Sequence, residues 1–309
     1  MANPSRHMSP IQIAEHADRH RVDSCPFDTS VAVDFSKLFI CPSLTALYYT
    51  AVWQELSPED QLRHTQLSAL SFNELIAWFE EGFSSTLLAL SRSERVPQQL
   101  RAVLPDFIED ERRHQNIWWT LNRCADPQRY SSNTAAITRI APIGRALMQW
   151  LASRPLEYPV AVWLMLIFEE HGNEIARRCA ARRPNEIEAH FAAAYLSHVR
   201  DETRHVQIDW HLIDALWPGL DGWRRQLNVY LFRLVIGRLL FRPENAAISV
   251  ANELIRERPV LRPLLGRIRS ELREVGRQAE FRTMMFSAQS SPIAFHLLSR
   301  FPELESAMV

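Results

Sequence analysis

The chain has 309 residues, 47% hydrophobic and 23% charged, with a formal net charge of -1. These proportions are ordinary for a soluble globular protein and allow a sizeable apolar core. A charge near zero argues against the clustered basic excess of a nucleic-acid-binding chain, and no stretch approaches the ~18 uninterrupted apolar residues of a membrane span. Glycine is scarce, at 8 residues, which disfavours a β-rich fold with many tight turns and points to helices. Cys25, Cys41, Cys124 and Cys179 are far apart without C-x-x-C spacing and read as isolated reduced thiols. With no apolar signal core near the N-terminus, the expected location is the cytoplasm.

Residues 1 to about 40, with Pro4, Pro10 and Pro26, predict an arm packed on the body. Ser57-Pro58-Glu59-Asp60 predicts a helix start: a capping serine, proline in the first turn, then acids favoured by the helix dipole. That helix runs to about Leu90. Pro97 opens the next, to about Arg123, with Pro105 as a possible break. After a loop at 127–132, periodicity predicts helices over 135–152, about 160–182 and 185 to about 216, closed by Pro218-Gly219. Further amphipathic segments follow at 222–241, 244–257, 259–288 and 292–300. Leu227, Leu231, Leu234 and Leu239 form an apolar face suited to core or to an interface.

Glu111-x-x-His114 and His198-x-x-x-Glu202-x-x-His205 carry the chemistry. Positions three, four and seven apart share a helical face, and imidazole with carboxylate is a donor set for iron, manganese or zinc. Both groups lie in apolar stripes, the first with Leu104, Phe107, Ile108 and Trp118, the second with Phe191, Tyr195, Ile208 and Leu212. Charges buried there need partners or a metal. A two-metal site in a four-helix bundle also takes one carboxylate from each of two further helices. Among Glu74, Glu80 and Glu81, Glu80 shares the row of Phe72, Ile76, Phe79, Phe83 and Leu87. Among Glu169, Glu170 and Glu174, Glu169 shares that of Val162, Met165, Leu166, Gly172 and Ala176. Glu80 and Glu169 are therefore chosen, with Glu81 and Glu170 as alternatives. His171 and His211 fall out of phase with the ligand row, while His64, His190 and His296 read as surface or satisfied core residues. Trp118 or Trp119 is a candidate for a pocket wall. Zincin, nucleotide-binding and serine-hydrolase motifs are missing.

This order of motifs in an all-α chain resembles the p-aminobenzoate N-oxygenase family of ferritin-like di-iron enzymes, over roughly residues 65–215. His198 stands where that family adds a third histidine to the usual two. The resemblance covers the core of a chain that reads as one domain: an arm at 1–40, a four-helix bundle at about 58–216, and covering helices at about 222–300. It implies two iron ions, with Glu111, His114 and Glu80 (or Glu81) at one side. Glu202, His205 and His198 serve the other, and Glu169 (or Glu170) joins the shell. It further implies O2 as co-substrate, oxidation of an aryl or amino-acid-derived primary amine to hydroxylamine, nitroso or nitro, and a homodimer. Nothing resembles a flavin or nicotinamide site, so electrons are expected from an external reductase or electron-transfer protein. Rival readings are a di-iron C–H hydroxylase or desaturase, a ferroxidase, and a metal-free helical interaction protein.

Overall fold

A computed structural model describes residues 8–13, 15, 25–183, 185–242 and 244–305. The helices are α1 (Ala51–Glu55), α2 (Pro58–Ser91), α3 (Gln98–Ala125), α4 (Pro142–Ala152), α5 (Val160–Ala180), α6 (Ala189–Leu216), α7 (Gly222–Leu239), α8 (Glu244–Glu257), α9 (Leu265–Val275), α10 (Ala279–Met285), α11 (Pro292–Leu298) and α12 (Pro302–Glu305). Among the described residues, extended pairing is limited to one parallel bridge between Leu38 and Ile187. The fold is all-α and ferritin-like.

α2 packs along α3 and α5 along α6; α3 against α6 and α2 against α5 close the ring of four. One long connection carrying α4 joins the two hairpins, the crossover of a ferritin-like bundle. α2 begins as its sequence predicts, with the Ser57 hydroxyl accepting from the Asp60 N–H. α3 continues through Pro105. Proline inside a helix costs about 3 kcal/mol, and burial of Leu100, Leu104, Phe107 and Ile108 around it offsets a cost of that order, at ~1.5–3 kcal/mol per large apolar side chain.

Three helix boundaries depart from the periodicity. Residues 135–141 are not helical, because the buried Glu74 carboxylate accepts the backbone N–H groups of Ala136, Ile137 and Thr138 and the Tyr130 hydroxyl. α6 starts at Ala189 rather than 185. Asn185 is left-handed (φ 65°), and Leu38 exchanges backbone hydrogen bonds with Glu186 and Glu188, whose side chain then caps the helix. The 259–288 segment is split into a 3-10 turn at Pro259–Leu264, then α9 and α10. Gly276 ends α9 where a Cβ would lie 1.8 Å from the Phe241 carbonyl oxygen, so no side chain fits.

Part of the predicted arm lies outside the described residues. The rest touches the body: Phe39 stacks on Phe191 at 4.1 Å, Gln66 donates to the Phe35 carbonyl oxygen, and His211 donates to that of Met8. On α7, Leu231 is buried and Leu227 packs against the core, which favours the core reading for this part of the face; the Leu239 side chain is outside the described set.

Two large apolar clusters fill the bundle. One gathers Phe79–Leu90 of α2, Leu100–Ile108 of α3, Val160–Ile167 of α5 and Val206–Leu216 of α6. The other gathers Leu67–Ala77, Ile117–Ala125, Ile175–Cys179 and Phe191–Tyr195 of the same helices. Between these halves lies a polar layer. Replacing Glu74 by alanine should lower stability by about 3 kcal/mol or more, since it orphans several buried donors at once. Denaturant melts with faster hydrogen exchange at 136–138 would bear this out; an unchanged midpoint would contradict it.

Candidate metal centre

The polar layer takes Glu80 from α2, Glu111 and His114 from α3, Glu169 from α5, and His198, Glu202 and His205 from α6. All seven are buried, with Glu111, Glu202 and His205 at 0% exposure. Potential ligand atoms converge in two groups, Glu111–His114–Glu202–His205 and Glu80–His114–His198, each within 4.8 Å. Glu169 borders the first group, its Oε2 3.9 Å from His205 Nδ1. His198 Nε2 lies 2.8 Å from Glu202 Oε1 and 3.2 Å from Glu80 Oε1. His198 therefore sits on the side of Glu80 and His114, not beside His205 as the resemblance implied.

Burial dominates the electrostatics. It pushes Glu80 up to about 7, and with the neighbouring Glu80 carboxylate it holds Glu111 and Glu202 well above their usual range. It lowers His198 to about 3 and keeps His114 and His205 low and neutral. Glu80 Oε2, both Glu111 oxygens, His114 Nδ1, Glu169 Oε1 and Glu202 Oε1 are buried without a hydrogen-bond partner. Buried polar atoms are rarely left so; carboxylates and imidazoles converging without donors fit metal cations. Four carboxylates also match the charge of two ferrous ions.

The two motif copies are longer than Glu-x-x-His. Asp110-Glu111-Arg112-Arg113-His114 and Asp201-Glu202-Thr203-Arg204-His205 both read Asp-Glu-x-Arg-His, and the outer pair was legible but unread in the sequence. His114 Nε2 lies 3.1 Å from Asp201 Oδ2, and His205 Nε2 lies 3.4 Å from Asp110 Oδ2. Each histidine thus reaches the aspartate of the opposite helix and turns Nδ1 inward. Arg113 bonds Asp201 at 2.5 Å and Asp110 at 2.9 Å, while Arg204 pairs with both as well. Burial alone would raise Asp201, but the His114 hydrogen bond and nearby positive charge hold it below its usual value. Such outer carboxylates fix ring orientation and ligand basicity.

The rival acids have other partners. Glu74 holds the 136–138 loop, Glu81 is exposed, and Glu174 pairs with Arg177 and Arg178. Glu170 accepts from the Ile293 and Ala294 N–H groups at the start of α11. Trp118 anchors the layer rather than walling a pocket, its indole donating to Glu80 Oε1 at 2.9 Å. Trp119 lies by Tyr130. His171 stands outside both ligand groups yet lines a cavity beside them. His190 bonds Glu188, and His296 stacks on Trp210. Asp209, one turn past His205, is buried with both oxygens unpartnered, and burial pushes its carboxyl well up.

An all-helical bundle with this buried Glu/His layer, and no described helix long and apolar enough to cross a membrane, has the form of a ferritin-like di-iron oxygenase. The chain belongs to the p-aminobenzoate N-oxygenase AurF family, which it matches over residues 10–290. It is accordingly an oxidoreductase of the di-iron N-oxygenase type, using O2. The match reaches well beyond 65–215, into the arm and the covering helices. No curated protein matches the chain.

Two outcomes follow from this geometry. A Cβ on Gly172 would come 3.2 Å from His198 Cε1. Gly172→Ala should keep or raise the melting temperature, as alanine is the better helix former, yet displace His198 and reduce bound iron by elemental analysis. Full iron with an unmoved His198 signal would refute it. For the metal-free protein, Glu80, Glu111 and Glu202 have folded-state values above their unfolded ones. Their stabilisation is complete below about pH 4.5 and is lost as pH rises through their raised folded-state values, about 7 for Glu80. Unfolded histidines are still about half protonated at pH 6.5, so the buried neutral ones give an opposing slope up to pH 8, smaller per group than that of the raised carboxyls. The apo-protein should therefore melt lower at pH 8 than at pH 6.5, and iron loading should release protons. A rising apo melting temperature would contradict this.

Proposed function

We propose that Glu80, His114 and His198 hold one iron, that Glu169 and His205 hold the other, and that Glu111 and Glu202 are shared between them. The observation that carries this is Glu111, whose buried oxygens lack any donor while Oε1 lies 3.3 Å from His205 Nδ1 and 3.9 Å from His114 Nδ1. Glu202 likewise faces both sides, 2.8 Å from His198 and 3.3 Å from His205. Bound there, the ferrous pair supplies O2 activation.

The chain's own groups do the rest. Asp110 and Asp201 keep the outer nitrogens of His205 and His114 engaged, leaving the inner nitrogens free to ligate. Trp118 fixes one oxygen of Glu80 and leaves the other bare. The apolar halves exclude water, which strengthens every charge interaction inside. The substrate is a primary amine, oxidised at nitrogen to hydroxylamine and onward to nitroso or nitro in a biosynthetic pathway. Electrons come from an external reductase or electron-transfer protein. We further take the chain to be one domain, its helices beyond Leu216 covering the bundle, that works as a cytoplasmic homodimer.

Reduced, iron-loaded enzyme given O2 and a panel of amines should yield products heavier by oxygen at nitrogen. Oxygen gained only at carbon would move the reaction to hydroxylation. His198→Ala should lower iron content and N-oxygenation while leaving helicity by circular dichroism intact; wild-type turnover would remove His198 from the centre. Glu80→Ala should lose more iron than Glu81→Ala, and the opposite order would exchange their roles.

A further inference from the structure

The two helix hairpins repeat one another around the polar layer. Phe79-Glu80-Glu81 of α2 matches Phe168-Glu169-Glu170 of α5, and Asp-Glu-x-Arg-His occurs on both α3 and α6. The contacts repeat with the sequence. Phe79 meets Phe168 at 4.0 Å between ring centroids, and each motif histidine reaches the aspartate of the opposite helix. An approximate twofold axis therefore relates the two sides of the centre.

Three pairs of matching positions break this symmetry, all in the same direction. His198 stands three residues before Asp201, while three before Asp110 stands Phe107. The placement is kept and the chemistry changes. The His198 and His114 rings lie 4.5 Å apart, and Phe107 stacks on His205 at 3.8 Å. An imidazole in that place offers a metal a lone pair, whereas a phenyl ring offers none. Gly172, three past Glu169, leaves bare backbone beside His198; three past Glu80 stands Phe83, in the same apolar cluster as Phe107. Trp118, four past His114, fixes Glu80 Oε1. Four past His205 stands Asp209, and Glu169 Oε1 has no hydrogen-bond partner. The side of Glu80 thus has an extra imidazole and an anchored carboxylate, and the side of Glu169 has neither.

We infer that Phe107 is a positioning residue that keeps the iron beside Glu169 and His205 one ligand short of its neighbour, so that a small external ligand binds on that side. This rests on the metal assignment proposed above and adds an asymmetry within it. Glu80, His114 and His198 converge on one iron without being shared, and only Glu169 and His205 do so for the other. Phe107 fills the place of a further histidine without supplying a donor. An iron with fewer protein ligands retains a position for an exogenous one.

Azide, a small anion that takes exchangeable positions on iron, is the probe. It is soaked into crystals of the iron-loaded, oxidised enzyme, and its binding in solution is followed by the charge-transfer absorption it adds. Azide should sit on the iron beside Glu169 and His205. Phe107→His supplies the missing imidazole, and Phe83→Ala clears the place that Gly172 leaves clear beside His198. This double variant should keep the iron content of the wild type by elemental analysis and lose azide binding. Phe107→Leu, which removes the stacked ring and adds no donor, should keep both iron and azide. Azide on the iron beside Glu80 and His198, azide equally on both, or azide on neither overturns the inference. So does a folded, iron-replete double variant that binds azide as the wild type does; if that variant does not fold, the wild-type crystals decide the matter. Failure of the wild-type enzyme to load an iron pair removes the metal assignment itself, and this asymmetry with it.

Discussion

The structure depends on a layer of seven polar side chains held between two apolar half-bundles. Four carboxylates and three imidazoles, all buried, come from all four core helices. Without cations they lower the repulsion only by keeping protons on carboxyls and off histidines, the direction in which burial shifts them. Two ferrous ions remove the conflict, because their charge equals that of the four carboxylates and the bare oxygens gain partners. Metal binding and the stability of this layer are thus the same free energy. A stable apolar layer would be easier to build, so the polar one is retained for chemistry.

Around it runs a second constraint, the crossed pairing of α3 and α6. His114 of α3 reaches Asp201 of α6, His205 of α6 reaches Asp110 of α3, and Arg113 and Arg204 bind both aspartates. The two aspartates and two arginines cancel in charge, so the outer network adds no net charge beside the centre. Removing one member would leave an uncompensated buried charge, which is far more destabilising than the pair is stabilising. The network therefore fixes the register of α3 against α6 as well as the rotation of each ring.

Much of this was legible in the sequence where the cause is local. Helical phase alone separated Glu80 from Glu81, because adjacent helix positions point about 100° apart and the apolar row of Phe79 and Phe83 marked the inside. Ser57-Pro58 likewise marked the start of α2. What escaped depends on partners distant in sequence. Ile137 and Ile140 carry a helical period, yet Glu74, more than sixty residues earlier, takes the N–H groups that a helix would use. Leu38 likewise holds residues 186–188 out of the helix, donating to the Glu186 carbonyl and accepting the Glu188 N–H. Asp110 and Asp201 escaped for another reason: the repeat was visible, but an aspartate beside a ligating glutamate points away from it on its own helix. Only the packing of α3 on α6 turns it toward the other helix's histidine.

The glutamates that flank the chosen ones explain how the covering helices are tied to the centre. Glu170 follows Glu169 in sequence, faces the other way, and takes the first N–H groups of α11. A carboxylate at a helix N-terminus satisfies orphan donors and favours the dipole, so α11 is fixed to α5 one residue from the polar layer. Glu81 follows Glu80 and lines a cleft between α2, α4 and α5 instead. Each doublet thus couples one residue of the buried layer to one that shapes its surroundings, at a covering helix in one case and a surface cleft in the other. A shift in either helix that moved the inner carboxylate would also move the outer one.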